Sequence, residues 1–247
     1  MAHLKGRTPG LGREAIVSWT ARMGAITAEA LARRHDVTVA AARARLLAAE
    51  RAGLLARQRP LAGQPALYAA TRRGLRACGS QGLDPCSVRP SNAGHLIACA
   101  WAAAALERSY PGHRVVGERE LRRDERASGA ALASAPLARR PDGASRLDRP
   151  ELALWPCSPR PSLPVAVEVE LTVKSPRRLL EICKAWARAR SVAGVLYLIA
   201  PEVKRPLMRA IADASAGARI VAIPLDTLAD PEDHAAARPS RTITSGA

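Results

Sequence analysis

The sequence predicts an α/β (α+β) fold: helices and a β-hairpin in the first third, then helices alternating with the strands of a mixed central sheet. Three observations carry that expectation. From Val165 to Val173 the odd positions are all apolar, while Glu168, Glu170, Thr172 and Lys174 share the other parity. This is the two-residue period of a strand with one face in a core. Before Gly79, threonines precede runs with helical spacing, and two short apolar segments flank Pro60, Gly63 and Pro65. Charge is also segregated. The chain of 247 residues has 38 basic and 22 acidic residues, formally +16, and residues 1–79 hold 14 Lys/Arg against Glu14, Glu29, Asp36 and Glu50.

In order, Glu14 to Met23 suits a short helix. Thr27 caps a second, with Ala30, Leu31 and His35 at helical spacing. Thr38 caps a third, running to about Ala52, where Gly53 stops it. Its Ala42, Leu46 and Ala49 form one stripe, with Arg43 and Arg45 pointing elsewhere. Leu54 to Arg59 and Ala66 to Ala69 form the hairpin, and Thr71 caps a last short helix carrying Arg72, Arg73 and Arg76. Three helices followed by a hairpin is the order of a winged helix-turn-helix. The helix from Thr38 would then enter the major groove, with Thr38, Ala41, Arg43 and Arg45 facing bases and Arg57, Arg59 and Arg72 on phosphates. The competing reading is a winged helix used for protein contacts. The basic excess argues against it, because compact positive charge is the footprint of a nucleic-acid partner.

Residues 80–91 read as a linker. Asn92 to Tyr110 is a long helix ended by Pro111-Gly112, and His113 to Leu121, including Glu118, reads as a strand. Asp124 to Ala138 reads as a small-residue loop. A second strand should start near Arg140 to Asp142 and resume at Leu152 to Trp155; the third carries Glu168. Ser175 caps the next helix with Pro176 at its first position, burying Leu179, Ile182, Cys183 and Trp186. Val195 to Ala200 is a strand, Val203 to Ala214 a helix, and Arg219 to Ile223 a last strand. The expected division is a DNA-binding domain over 1–79, a second domain over 92–228 and a disordered tail over 229–247.

Other signals narrow the class. The longest apolar run, Leu96 to Leu106, is too short to span a bilayer, and Met1 to Gly12 lacks a secretory hydrophobic stretch. The five cysteines are odd in number with no C-x-x-C pair, which suits free thiols in a cytoplasm. The spacing of Cys78, Cys86, His95 and Cys99 is irregular for zinc; His95 and Cys99, one turn apart, read as packed on one helix face. The Arg and Ala richness fits a high-GC bacterial genome.

Helix, three strands, helix, strand is the order of the PD-(D/E)XK nuclease core. With His95, Gly117 to Arg122, Arg140-Pro141-Asp142-Gly143, Glu168 to Ser175 and Val195 to Leu198, the chain resembles the bacterial replication-relaxation family, a winged helix joined to a nuclease-like domain. The likeness covers about residues 13–225. It implies a metal site in which Asp142 and Glu168, with Glu118, hold Mg²⁺ and activate water. One departure stands out: the pattern asks for a lysine two residues after Glu168, where this chain has Glu170. Lys174, six strand residues on, would lie roughly 20 Å away. Lys184 on the following helix is therefore the candidate catalytic lysine, against the simpler reading that it pairs with Glu181. Three readings follow: a double-stranded DNA-binding factor of a mobile element or plasmid, a Mg²⁺-dependent endonuclease, or a scaffold that recruits a replication or conjugation protein.

Overall fold

Hydroxyl side chains set where four of the helices begin. Thr27, Thr38, Thr71 and Ser175 each accept a hydrogen bond from the amide three residues on, satisfying a donor that the first turn leaves unpaired. The computed structural model describes residues 12–139, 145–158 and 162–228. The first unit runs α1 (Arg13–Met23), β1 (Ala25–Ile26), α2 (Ala28–His35), α3 (Val39–Arg51), β2 (Leu55–Gln58), β3 (Leu67–Ala70) and α4 (Arg72–Ala77). Its three strands form an antiparallel sheet in the order β1-β3-β2. The two-residue β1 is an addition to the sequence reading. Ala42, Leu46 and Ala49 are the buried stripe of α3, as expected.

The second unit opens with α5 (Pro90–Ser109) and β4 (His113–Gly117). Here the structure corrects the sequence reading. Glu118 does not continue a strand; it starts α6 (Glu118–Ser128), which has Glu118 and Glu120 in its first turn and left-handed Gly129 at its end. The expected loop after Asp124 is instead the rest of α6 followed by β5 (Ala135–Arg139). β5 pairs with β6 (Ser145–Asp148) in a separate two-stranded sheet, and the strand that joins the main sheet is β7 (Leu152–Pro156). There follow β8 (Val165–Glu170), α7 (Pro176–Arg188), β9 (Gly194–Ile199), α8 (Pro201–Asp213) and β10 (Ile220–Pro224).

The central sheet is mixed, ordered β10-β9-β8-β7-β4, with β10, β9 and β8 parallel and the β8-β7 and β7-β4 pairs antiparallel. Its inward residues divide by parity. Val167, Val169, Leu152 and Leu154 share a cluster with α5 and the first unit, whereas Ala166, Ala153 and Tyr197 join the apolar faces of α7 and α8.

α5 is buried nearly all round, with Ala98, Ala100 and Ala102 to Ala105 inside. Small side chains let it lie between the first unit and the sheet, touching α2, β1, β4 and β8. A buried polar knot fixes this junction. The Glu107 carboxylate accepts from Trp19 Nε1 (3.1 Å) and pairs with Arg34, whose side chain is 3% exposed. The Arg34 guanidinium also stacks on the Trp19 ring at 4.8 Å. Gly117 closes the approach, because a Cβ there would sit 2.6 Å from the carbonyl oxygen of Arg22. Among the described residues no helix is long and apolar enough to cross a membrane.

Candidate functional site

Two polar regions remain exposed or buried without an obvious packing role. The first surrounds α3. Thr38, Arg43 and Arg45 are exposed there, Ala41 is half-buried, and Arg57, Arg59 and Arg72 are exposed on the neighbouring hairpin and α4. Residues two apart on a helix lie about 200° apart, so Arg43 and Arg45 flank α3 on opposite sides. Arg45 folds back onto the Ala41 carbonyl (3.4 Å) beside His35. Arg43 turns instead to the hairpin, lining a cleft of about 400 Å³ with Arg57, Arg59 and Tyr68. Its counterions are loose: Arg43 lies 3.7 Å from Glu29, and Arg57 lies 3.5 Å from Glu50. Arg43 thus groups with the residues expected on phosphates rather than with Arg45.

The second region lies where β7 begins and β8 ends. Leu152 pairs with Val167, so the register continued by one residue sets Glu151 opposite Glu168. The two carboxyl groups are close enough for each to affect the other's ionisation. Glu168 is 7% exposed, and its Oε1 accepts from Trp186 Nε1 of α7 at 3.2 Å. Glu151 Oε2 accepts from the Val169 amide at 3.0 Å, and Oε1 lies 3.4 Å from His95 Nε2 of α5. Burial and the adjacent Glu151 charge push Glu168 well above the ordinary carboxylate range. Burial also opposes ionisation of Glu151, but bonds from His95, Glu168 and the Val169 amide outweigh it and hold Glu151 below its ordinary value. Burial thus favours the protonated form of Glu168, while the bonds to Glu151 favour its ionised form.

Around it the sequence expectations divide. β8 ends at Glu170 and the chain turns, so Lys174 is not a strand's length away. It pairs with Glu170, and its charge reaches Glu168 and Asp148. Lys184 does not join Glu168. It is exposed on α7, because Leu179, Cys183 and Trp186 take the inward face. Nor does it pair with Glu181, which bonds Arg178 instead (3.0 Å). Glu118 is spent on Arg122 of its own helix. Asp142 lies outside the described residues. His95 and Cys99 pack on one face with Nε2 and Sγ 3.4 Å apart, as expected. The residue that sequence reasoning missed is Glu151. Arg149-Pro150-Glu151 repeats the Arg-Pro-acid pattern of Arg140-Pro141-Asp142, and it directly precedes an apolar strand.

The carboxyl pair is already engaged by protein groups. The Glu151 oxygens face the Val169 amide and His95, and Glu168 Oε1 accepts from an indole N–H. A hard cation needs free, ionised oxygens at about 2.0–2.6 Å. Among the described residues no three His, Cys, Asp or Glu side chains are grouped as a metal-binding set.

No family model, curated protein or solved structure matches the chain.

Proposed function

We propose that this is a double-stranded DNA-binding protein whose first unit is a winged helix-turn-helix. The observation that carries the reading is the cationic surface of the first unit: Arg43, Arg57 and Arg59 about one cleft, Arg45 on the far flank of α3 and Arg72 at the start of α4, all exposed. The element order α1-β1-α2-α3-β2-β3 supports it. α3 lies in the major groove. Its outward ridge carries exposed Ala40 and Ala44, short enough for close approach and suited to thymine methyl groups. Arg43, Arg57 and Arg59 on one flank take phosphates, and Arg45 on the other leaves the Ala41 carbonyl to reach a base edge. The second unit resembles a PD-(D/E)XK core in its order α5-β4-β7-β8-α7-β9. It serves as a platform for further contacts or for a replication or conjugation partner. The likeness to the replication-relaxation family suggests a role on a mobile element or plasmid.

Fluorescence anisotropy of the full chain on duplex DNA tests this. Neutralising about five phosphates gives a log–log salt slope near −4.5. An Arg43→Ala/Arg57→Ala/Arg59→Ala variant should lose affinity for all sequences and roughly half of that slope. An absence of duplex binding at low salt overturns the proposal. Supercoiled plasmid incubated with Mg²⁺, Mn²⁺ or EDTA addresses cleavage, and the donor set around Glu168 leads us to expect retarded but intact DNA. Metal-dependent nicking abolished by Glu168→Gln would reinstate the endonuclease reading.

A further inference from the structure

A second cationic surface lies far along the chain from α3. Lys174, Arg177, Arg205 and Arg209 line a groove of about 410 Å³ between the start of α7 and the middle of α8. Its floor is apolar, with Val173 (50% exposed), Leu180 and Pro206, and Asp213 is the one acid on its wall. Among the described residues, no ion pair engages Arg177, Arg205 or Arg209, whereas the neighbouring Arg178 is committed to Asp148 and Glu181. The three guanidiniums are exposed and repel one another only weakly, and an anion settling among them relieves that repulsion. At one end the groove carries Lys174, which pairs with Glu170.

A third arginine-lined cleft, along α6, is less available. Of its four arginines on α6, Arg119 donates to the Ala21 and Asp84 carbonyls, Arg122 pairs with Glu118 and Arg123 with Asp124. Only Arg126 is left over.

We propose that the α7–α8 groove binds an unpaired nucleic-acid strand. Its phosphates sit in the guanidinium forks of Arg177, Arg205 and Arg209, and sugar and base lie against Val173, Leu180 and Pro206. The volume suits one or two nucleotides. A cationic track beside an apolar surface can hold a single strand by its phosphates and let base faces leave water, whereas a duplex hides those faces. The inference rests on the nucleic-acid reading above, because the same cations would also suit an acidic peptide.

The test is anisotropy of the full chain with a labelled oligothymidylate of about twelve nucleotides, a duplex of equal length, and polyglutamate as competitor. Arg205→Glu/Arg209→Glu places both changes on exposed positions, and its thermal midpoint is checked against the parent. The variant should bind the single strand at least about tenfold more weakly. Its salt slope should fall by about 1.4, the change for two phosphate contacts on a single strand, with duplex affinity unchanged. Unaltered single-strand binding in this variant overturns the groove, as does displacement by polyglutamate as readily as by oligothymidylate. So does single-strand binding lost only when Arg43, Arg57 and Arg59 are removed. A wild-type chain that binds the single strand through this groove but no duplex sinks the winged-helix proposal alone.

Discussion

Around α3 and the β2–β3 hairpin, charge sits on exposed side chains with counterions 3.5–3.7 Å away, so each group is free to exchange its partner. At the start of β7 the reverse holds. Glu151 is held by the Val169 amide and His95, and Glu168 by the Trp186 indole; burial raises Glu168, while its bonds lower Glu151. The first arrangement leaves its cations able to meet a polyanion, as the proposed DNA contact requires, at little cost to the fold. The second is built into the fold and resists change. The difference teaches where function is separable from stability: mutations in the first region should alter binding and leave folding alone, whereas those in the second should register in stability first.

The largest expected effect lies at the junction between the regions. Glu107→Ala leaves Arg34 buried and charged with no carboxylate, and it strands the Trp19 N–H. Removing one partner of a buried ion pair costs about 3–5 kcal/mol, which urea unfolding would read as a lower midpoint. Because α2 and Trp19 rest on α5, α3 should be affected too, and DNA binding should weaken together with stability. A loss below about 1 kcal/mol would mean that the first unit stands independently of α5.

The two regions should also carry opposite pH signatures. Glu168 holds its proton in the folded state at pH values where the unfolded chain releases it, so the wild type loses stability as pH rises above the ordinary value of 4.5. Glu168→Gln keeps a donor toward Glu151 and an acceptor for Trp186 but has no proton to lose. Its thermal midpoint relative to wild type should rise as pH climbs above 4.5, levelling once Glu168 ionises in the folded state as well. A flat difference would show that burial does not raise Glu168.

His35 runs the other way. Burial, with the charges of Arg34 and Arg45, lowers it to about 4 from 6.5, so the unfolded chain takes up a proton that the folded chain refuses. Stability contributed by neutral His35 is present above pH 6.5 and lost as pH falls toward 4. Relative to wild type, His35→Gln should gain in that window, by about 1 kcal/mol or less given solvent screening beside α3. If the gain appears instead above pH 7, the ring's surroundings are misassigned.

What the sequence disclosed follows the same division. Local signals were readable: the capping hydroxyls of Thr27, Thr38, Thr71 and Ser175, and the apolar stripe of α3, depend on neighbours within one or two turns. α6 was misread because strand-like alternation ran into it, although Glu118 and Glu120 in the first turn and Gly129 at the end were helix signals. β1 has two residues, too few for any period. The acid opposite Glu168 is not a local property. Arg140-Pro141-Asp142 and Arg149-Pro150-Glu151 look alike as strings, and only the pairing of Leu152 with Val167 selects the second. Lys174 was set aside by assuming that a strand continues while its parity does, but the hydrogen-bonded ladder stops at Glu170.

The smallest effect tests the exposed region at its own scale. Glu50 holds Arg57 at 3.5 Å, with side chains 29% and 40% exposed, and such pairs contribute about 0–1 kcal/mol. Glu50→Gln should leave the unfolding midpoint within about 0.5 kcal/mol of wild type. It also removes the carboxylate that competes with phosphate for Arg57 and repels the DNA backbone. Duplex affinity at low salt should therefore rise severalfold, with a slightly steeper salt slope, and the gain should fade as ionic strength approaches about 0.15 M and screening shortens. The two readouts must separate for the comparison to stand. A destabilisation beyond about 1 kcal/mol would place Glu50 among fixed groups such as Glu107, and unchanged affinity would remove Arg57 from the DNA contact.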